Sequence, residues 1–335
     1  MFTRKTDLTG QQALINNSLV TRFDKTEEKY VAPTGLFELT SGEASFPSIS
    51  TNGEIFYYVP KNGEIRSISI KNTASGSALA AKIQPNASHI SWGANKTLIA
   101  SFPTGSIFYD LASNYSRKYA PAIKSPVLNK AGDKIAYAYF NEESGEGNVS
   151  IADPKLESYK NILSTRFSGW QMRWLASDRL ALIKPPTLEN AQYSLFVLEV
   201  VGGALQNVLD SRSNLELVWS GNGQKIVYSY IDQYVQEGGL YVMDLGAKEE
   251  AKLKPVFDAS GCVWSIDNET VYCTGQNSFV SIDTSTPEAP AKEIANPTGA
   301  NAAANATNLL LNSTEDYLIF KNTKDGKLYG LSLSQ

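Results

Sequence analysis

A unit of about 45 residues recurs along the 335-residue chain, and this repeat constrains the fold more than any other feature. Each copy contains an apolar strand, a tight polar turn, a second apolar strand and a third strand. The clearest copy runs from Leu217 to Tyr230 and continues from Gly239 to Leu245, with Asn222-Gly223 in its turn. Asn-Gly between two apolar runs is a strong β-hairpin signal.

The unit occurs seven times. In each copy one apolar residue closes the first strand, and successive closing residues are 36 to 47 positions apart. The closing residues are Ile49, Trp92, Leu128, Trp174, Trp219, Trp264 and Leu311. A weaker, more polar fourth strand lies between copies, as expected of an outer strand. Such a period with four strands per unit is typical of propeller blades, so the sequence predicts an all-β protein folded as a seven-bladed β-propeller.

The two ends of the chain predict how the ring closes. The last copy finishes at Gln335 with its third strand, whereas Leu36 to Thr40 form a strand without a blade of its own. We expect this N-terminal strand to pair in antiparallel fashion with Leu328 to Leu333 and to close the last blade. The predicted domains are a linker or packing segment at 1–33 and the propeller at 34–335.

The repeats resemble those of TolB-type propellers, a WD-repeat-like family. The similarity covers about residues 35–335, and it is carried by Leu-Thr-Ser-Gly at 39–42, Phe-Pro-Ser-Ile-Ser-Thr-Asn-Gly at 46–53 and the copies around 125–137 and Trp219. The family's turn proline is absent from every copy, and four copies lack its turn glycine. The motif is structural, so the resemblance implies the fold. It also implies a bacterial protein outside the cytoplasm that contacts other proteins.

Charge and hydropathy argue against two classes of function. The net charge is −4, the pI is about 5.3 and no run of Lys or Arg occurs, so we expect no nucleic-acid partner. No segment approaches the ~20 apolar residues of a transmembrane helix, so we expect no membrane insertion by this chain. The N-terminus carries no signal peptide as it stands. The protein would be periplasmic or on the cell surface if a signal or anchor has been removed, and cytoplasmic otherwise.

Side chains with recognisable catalytic patterns are scarce. Gly-x-Ser-x-Gly and the nucleotide-binding glycine motifs are absent, and we assign no catalytic residue, metal site or cofactor. His89, the single histidine, lies just before the first strand of copy two and is a weak candidate for binding at the channel mouth. The four tryptophans of the repeat share their position with aliphatic residues, which indicates packing between blades. Trp170 lies outside this register and is the second weak candidate.

The two cysteines flank the hairpin of copy six. Cys262 and Cys273 are equidistant from Asp267-Asn268, so a two-residue turn would place them opposite each other. In a non-hydrogen-bonded pair the Cα atoms are about 4.5 Å apart, within reach of a disulfide. A disulfide would indicate an oxidising compartment, and two free buried thiols are the alternative.

Three functional hypotheses follow. The main one is a non-enzymatic binding or scaffolding propeller for proteins or peptides, because the structural repeats are complete and catalytic patterns are scarce. The alternative is a carboxylate-dependent enzyme acting on a glycan or peptidoglycan fragment, since paired carboxylates need no histidine. The sequence assigns no such pair, because it does not give the separations of loop carboxylates such as Glu142, Glu143, Glu146 and Asp178. The third is a sensor or anchor ectodomain whose role depends on further sequence.

Overall fold

The computed structural model describes residues 34–94, 96–187, 192–231, 238–254, 258–275, 278–295 and 305–333. The linker or packing segment predicted at 1–33 lies outside these residues. In these ranges the chain forms 27 β-strands and two short 3₁₀ helices, Ile70–Ser75 and Ala259–Gly261. All strand pairs are antiparallel. No helix among these residues is long and apolar enough to cross a membrane.

Four of the sheets contain four strands that follow one another in the chain. The first is β2 (Ser45–Ile49), β3 (Glu54–Val59), β4 (Glu64–Ser69) and β5 (Ala78–Lys82). The second is β6 (His89–Trp92), β7 (Thr97–Phe102), β8 (Gly105–Asp110) and β9 (Tyr115–Lys118). The third is β10 (Ile123–Leu128), β11 (Ile135–Asn141), β12 (Glu146–Ala152) and β13 (Tyr159–Thr165). The fourth is β21 (Cys262–Trp264), β22 (Thr270–Thr274), β23 (Phe279–Asp283) and β24 (Lys292–Ala295).

A fifth sheet has seven strands because one long strand belongs to two neighbouring units. The strands are β14 (Gln171–Ala176), β15 (Arg179–Lys184), β16 (Tyr193–Glu199), β17 (Leu205–Trp219), β18 (Lys225–Ile231), β19 (Gly238–Asp244) and β20 (Glu249–Leu253). Strand β17 pairs with β16 through its first half and with β18 through its second half. No loop therefore separates the outer strand of one unit from the first strand of the next.

The sixth sheet joins the two ends of the described chain. It contains β25 (Ala306–Leu311), β26 (Tyr317–Asn322) and β27 (Leu328–Ser332), with β1 (Leu36–Glu38) on the far side of β27. Leu36 pairs with Leu331 and Glu38 with Tyr329. Beyond the strand, the Leu39 N–H donates to the Leu328 carbonyl at 2.8 Å, and the Leu328 N–H donates to the Thr40 hydroxyl at 3.0 Å.

The tight turn between first and second strands passes through one left-handed residue, four positions after the closing apolar residue. In three copies it is a glycine: Gly53, Gly132 and Gly223, with φ of 80°, 77° and 66°. In three others it is Lys96, Asn268 or Glu315, with φ of 62°, 60° and 56°. These last three copies thus keep the same turn without glycine, at a cost of about 1–2 kcal/mol each.

The hydrophobic core lies between neighbouring sheets. One buried cluster joins Val227 and Leu240 of the β14–β20 sheet to Trp264 and Val271 of the next. Three of the repeat tryptophans also bond to the preceding unit through the indole N–H. Trp92, Trp174 and Trp264 donate to the carbonyl oxygens of Phe46, Val127 and Val218 at 2.7, 3.1 and 3.0 Å. These tryptophans therefore connect successive units, as their repeat position indicates.

The cysteines lie in one of these inter-sheet clusters. Cys262 of β21 pairs directly with Cys273 of β22, and the two Cα atoms are 4.1 Å apart. The side chains form a disulfide and both are buried.

Candidate functional site

A cavity of about 800 Å³ opens at the end of the sheets where the first strands begin. Its wall contains residues of β6, β10, β14 and β17, together with the turn between β7 and β8. The volume falls within the range of about 300–1,000 Å³ that is usual for ligand sites.

One repeat position supplies much of this wall. The residue three places before the closing apolar residue is His89, Ser125, Gln171 or Glu216 in four consecutive copies, and all four line the cavity. Their side chains are exposed to solvent through the cavity. Because side chains alternate along a strand, Arg173 of β14 shares the face of Gln171, and Met172 between them is buried.

Two β-bulges lie in the wall. In β10 the register shifts between Lys124 and Val127, and Ser125 between them has φ of 48°. In β17 it shifts between Ser213 and Glu216, and Asn214 has φ of 50°. Bulges bend a strand and re-aim the neighbouring side chains. They are the local backbone feature that orients Lys124 and Glu216 in the wall.

Arg173 is an uncompensated cation in the wall. Solvent reaches its side chain through the cavity, yet protein surrounds it closely, and this desolvation lowers the pKa of the guanidinium. Arginine nevertheless stays charged in proteins. Within the described part of the chain Arg173 has no salt bridge and no hydrogen bond. A guanidinium that lines a cavity without a protein partner is free to bind an anionic ligand, with which it forms charge-assisted hydrogen bonds.

His89 lies close enough to Arg173 for the two side chains to interact electrostatically. Desolvation first, and the Arg173 charge second, lower the pKa of His89 below its ordinary value of 6.5. The ring is in edge contact with Phe46, at 5.9 Å between centroids. His89 is therefore a neutral imidazole at pH 7, able to accept a proton beside a fixed positive charge.

A titration of His89 tests this proximity. Because the chain has a single histidine, its ring signals are unambiguous in an NMR titration of untagged protein. We expect a midpoint below 6.5, and we expect Arg173→Gln to raise it, since removing the cation favours the imidazolium. Arg179→Gln, at the opposite end of the β14–β15 hairpin, should leave it unchanged. An unaltered midpoint in the Arg173→Gln variant would contradict the proximity of Arg173 to His89.

The remaining charged groups of the wall differ in sign. Lys124 is 3.9 Å from Glu142, and both side chains remain accessible to solvent. Burial, and to a lesser degree the neighbouring carboxylate of Asp258, raise the pKa of Glu216. The cavity thus has cationic groups on β10 and β14 and an acidic group on β17.

Trp170 has no free face for a ligand. Only 6% of it is exposed, its indole N–H donates to the Thr165 hydroxyl at 3.1 Å, and its ring meets Phe167 and Phe196 edge-on at 5.0 and 5.7 Å. These contacts place it in the core between units. The candidate role of Trp170 in ligand binding is therefore corrected to a packing role.

The loop carboxylates do not converge. Glu142, Glu143 and Glu146 lie at the β11–β12 turn, whereas Asp178 lies in the β14–β15 turn, at the opposite end of the sheets. The side chains of Glu142 and Asp178 are 82% and 62% exposed. Asp178 therefore does not pair with Glu142, Glu143 or Glu146 as glycoside hydrolysis would require.

Arg173 and Glu216 are absent from the motifs that the sequence singles out. A signal for both exists in the aligned repeats. Glu216 occupies the same position as His89, and Arg173 stands immediately before a closing residue where the other six copies have Ser or an aliphatic residue. Those residues are Ser48, Ser91, Val127, Val218, Val263 and Leu310.

Comparison with known proteins gives the fold. No family model matches the chain, and no curated protein matches it. An oligogalacturonate lyase solved in complex with manganese matches the structure with a TM-score of 0.66 and 11% identity, over 90% of this chain and 93% of that one. An oligogalacturonate lyase from Vibrio parahaemolyticus matches with a TM-score of 0.62 and 9% identity, over 89% and 93%. The chain is therefore an all-β protein with a β-propeller fold.

A third match covers a part of a larger protein. The extracellular domain of a hybrid two-component system of B. thetaiotaomicron matches with a TM-score of 0.58 and 10% identity, over 89% of this chain and 39% of that one.

The described residues do not form a manganese centre. Within the described ranges no group of three or more His, Cys, Asp or Glu side chains is placed to hold a metal ion. The cavity instead presents one imidazole, one guanidinium, one ammonium and one carboxylate.

The main functional prediction is wrong. A non-enzymatic binding or scaffolding propeller was expected because catalytic side chains are scarce in the sequence. Two structural matches that cover both chains almost completely are oligogalacturonate lyases, which are enzymes. The cavity also contains charged groups that the motifs do not reveal. These matches agree better with the alternative, a carboxylate-dependent enzyme acting on a glycan or peptidoglycan fragment, than with the main prediction.

Proposed function

We propose that the protein is an enzyme that cleaves an acidic oligosaccharide in the cavity, by elimination next to a uronate. The observation that carries this proposal is that Arg173 and His89 line the same cavity, close enough for the Arg173 charge to lower the pKa of His89. Arg173 is a cation without a protein partner among the described residues, and His89 is a neutral base. A guanidinium binds a carboxylate in bidentate fashion. The lyases with the same fold act on oligogalacturonate, which is an oligosaccharide of this acidic class.

The reaction follows from these two groups. Arg173 binds the uronate carboxylate and stabilises the charge that develops when the neighbouring C5–H bond breaks. The imidazole of His89 takes the C5 proton. The C5 electron pair forms the C4–C5 double bond as the C4–O bond breaks. The imidazolium then gives its proton to the leaving oxygen, so that His89 returns to its neutral form. No oxidant, reductant or water is consumed.

Turnover of an acidic oligosaccharide panel tests the proposal. We expect wild type to convert a 4-linked uronate oligosaccharide, such as oligogalacturonate or hyaluronan hexasaccharide, into a product whose new double bond is conjugated with the carboxylate and absorbs in the ultraviolet. His89→Asn should lower kcat/KM by about 10²–10⁴-fold, the usual contribution of a general base. Arg173→Gln should also abolish measurable turnover, whereas Arg179→Gln should retain it.

Two results would contradict this function. One is wild-type turnover by His89→Asn. The other is an absence of ultraviolet-absorbing product from every acidic oligosaccharide in the panel, with or without new reducing ends.

The proposal includes a ring of seven blades. Strand β17 serves as the outer strand of one four-stranded unit and the first strand of the next, so the six sheets contain seven units. We infer that β1 closes the last blade, and the support for this is its antiparallel pairing with β27. The likeness of the repeats to TolB-type propellers is retained as part of this proposal.

We also propose that the protein works outside the cytoplasm. The support is the Cys262–Cys273 disulfide, which persists in oxidising compartments, and the extracellular location of one structural match.

A further inference from the structure

The cavity wall is bipolar. Lys124 and Arg173 lie on β10 and β14, and Glu216 lies on β17. The carboxylate of Glu216 interacts electrostatically with that of Asp258, the N-cap residue of the Ala259–Gly261 helix. A ligand in this cavity meets Lys124 and Arg173 as cations and Glu216 as the one carboxylate among the described lining residues.

The acidic side has no counter-ion. Within the described residues neither Glu216 nor Asp258 forms a salt bridge. Asp258 accepts hydrogen bonds from the Ser260 N–H at 3.0 Å and from the Ser229 hydroxyl at 3.3 Å. Glu216 and Arg173 both line the cavity and both are exposed to solvent, and Arg173 also lacks a partner among the described residues. Two unpaired charges of opposite sign in the wall of one cavity are complementary to a ligand that carries both signs.

We propose that the oligosaccharide bound here carries a free amino group as well as a uronate, with the ammonium held by Glu216 and the carboxylate by Arg173. This inference rests on the proposed function and narrows its substrate class. Like-charge repulsion between Glu216 and Asp258 is relieved when a cation binds beside them. An N-acetylated sugar offers no such cation, so acetylation of the amino group removes the interaction.

A matched pair of probes tests the inference by calorimetric titration. Hyaluronan tetrasaccharide and its de-N-acetylated form have the same carboxylates and differ only in amino groups. We expect wild type to bind the de-N-acetylated form at least about tenfold more tightly, as a charge-assisted pair allows. In Glu216→Gln both forms should bind with equal affinity, near that of wild type for the acetylated form. Arg173→Gln should weaken both.

The outcomes separate the two proposals. Equal affinity of wild type for both forms would overturn the ammonium site while leaving the uronate site intact. Binding of neither form would overturn the proposed function itself. A preference that persists in Glu216→Gln would overturn the assignment of this residue, and Glu249→Gln on the outer strand β20 serves as the control that should preserve the preference.

Discussion

Removal of residues 1–41 is expected to lower the melting temperature by about 10 °C or more, since it removes β1. Leu39 is 5% exposed and packs with Tyr317 and Leu328 in the cluster that joins the first and last units. Phe37 contacts Tyr317 edge-on at 5.8 Å. Burial of two such side chains contributes about 1.5–3 kcal/mol each.

The same deletion leaves polar groups without partners. The backbone N–H of Leu328, which is buried, loses the Thr40 hydroxyl, and its carbonyl loses the Leu39 N–H. Each buried group left unsatisfied costs about 1–3 kcal/mol. Lys327 also loses its salt bridge to Glu38, at 2.8 Å.

Deletion of residues 1–30 is the matched control. It keeps β1 and all the contacts named for it, so we expect the melting temperature to stay close to that of the full chain. Thermal unfolding followed by circular dichroism compares the two truncations. If they melt at the same temperature, β1 does not close the propeller.

Trp264→Ala is expected to lower the free energy of unfolding by about 3–5 kcal/mol. Trp264 is 6% exposed and packs in the cluster between two units. Its indole N–H also holds the Val218 carbonyl of the preceding unit at 3.0 Å. The substitution therefore creates a cavity and removes a bond between neighbouring blades. Urea unfolding measures the loss, and an effect below about 1 kcal/mol would contradict a packing role.

A pair of phenylalanine variants isolates the hydrogen bond. Trp219 occupies the same repeat position and is equally buried, but within the described residues its indole N–H has no partner. Trp264→Phe should therefore cost about 1 kcal/mol more than Trp219→Phe, because only the former breaks a hydrogen bond. Equal losses would show that the indole N–H of Trp264 contributes nothing.

The repeat predicts the strands because the closing apolar residue of the repeat ends the first strand and packs between neighbouring units. Six of the seven first strands end at the predicted residue, and only β14 continues past it, from Trp174 to Ala176. There the β14–β15 turn is tighter, and no residue at the fourth position is left-handed. The period fails to reveal that β17 runs without interruption through two units, since a loop and a continuous strand have similar polar composition.

The functional site is less predictable because its members come from different copies. His89 was identifiable as a lone histidine, but its partner Arg173 is 84 positions away by their numbers and belongs to no motif. Trp170 shows the converse. It lies out of register in the sequence, yet it is buried because Phe167 and Phe196 surround its ring. The position of a residue in the repeat predicts on which face of its strand the side chain lies. Which copies contribute to one cavity follows only from their arrangement in three dimensions.

The most direct test of the account is whether an acidic sugar reaches His89. Titration of wild type with trigalacturonate, followed through the ring signals of the single histidine, should give a saturable shift. Neutral maltotriose should give none, and Arg173→Gln should lose the response to trigalacturonate. An absence of shift with the acidic sugar, or the same shift with the neutral one, would contradict the claim that this cavity binds a uronate.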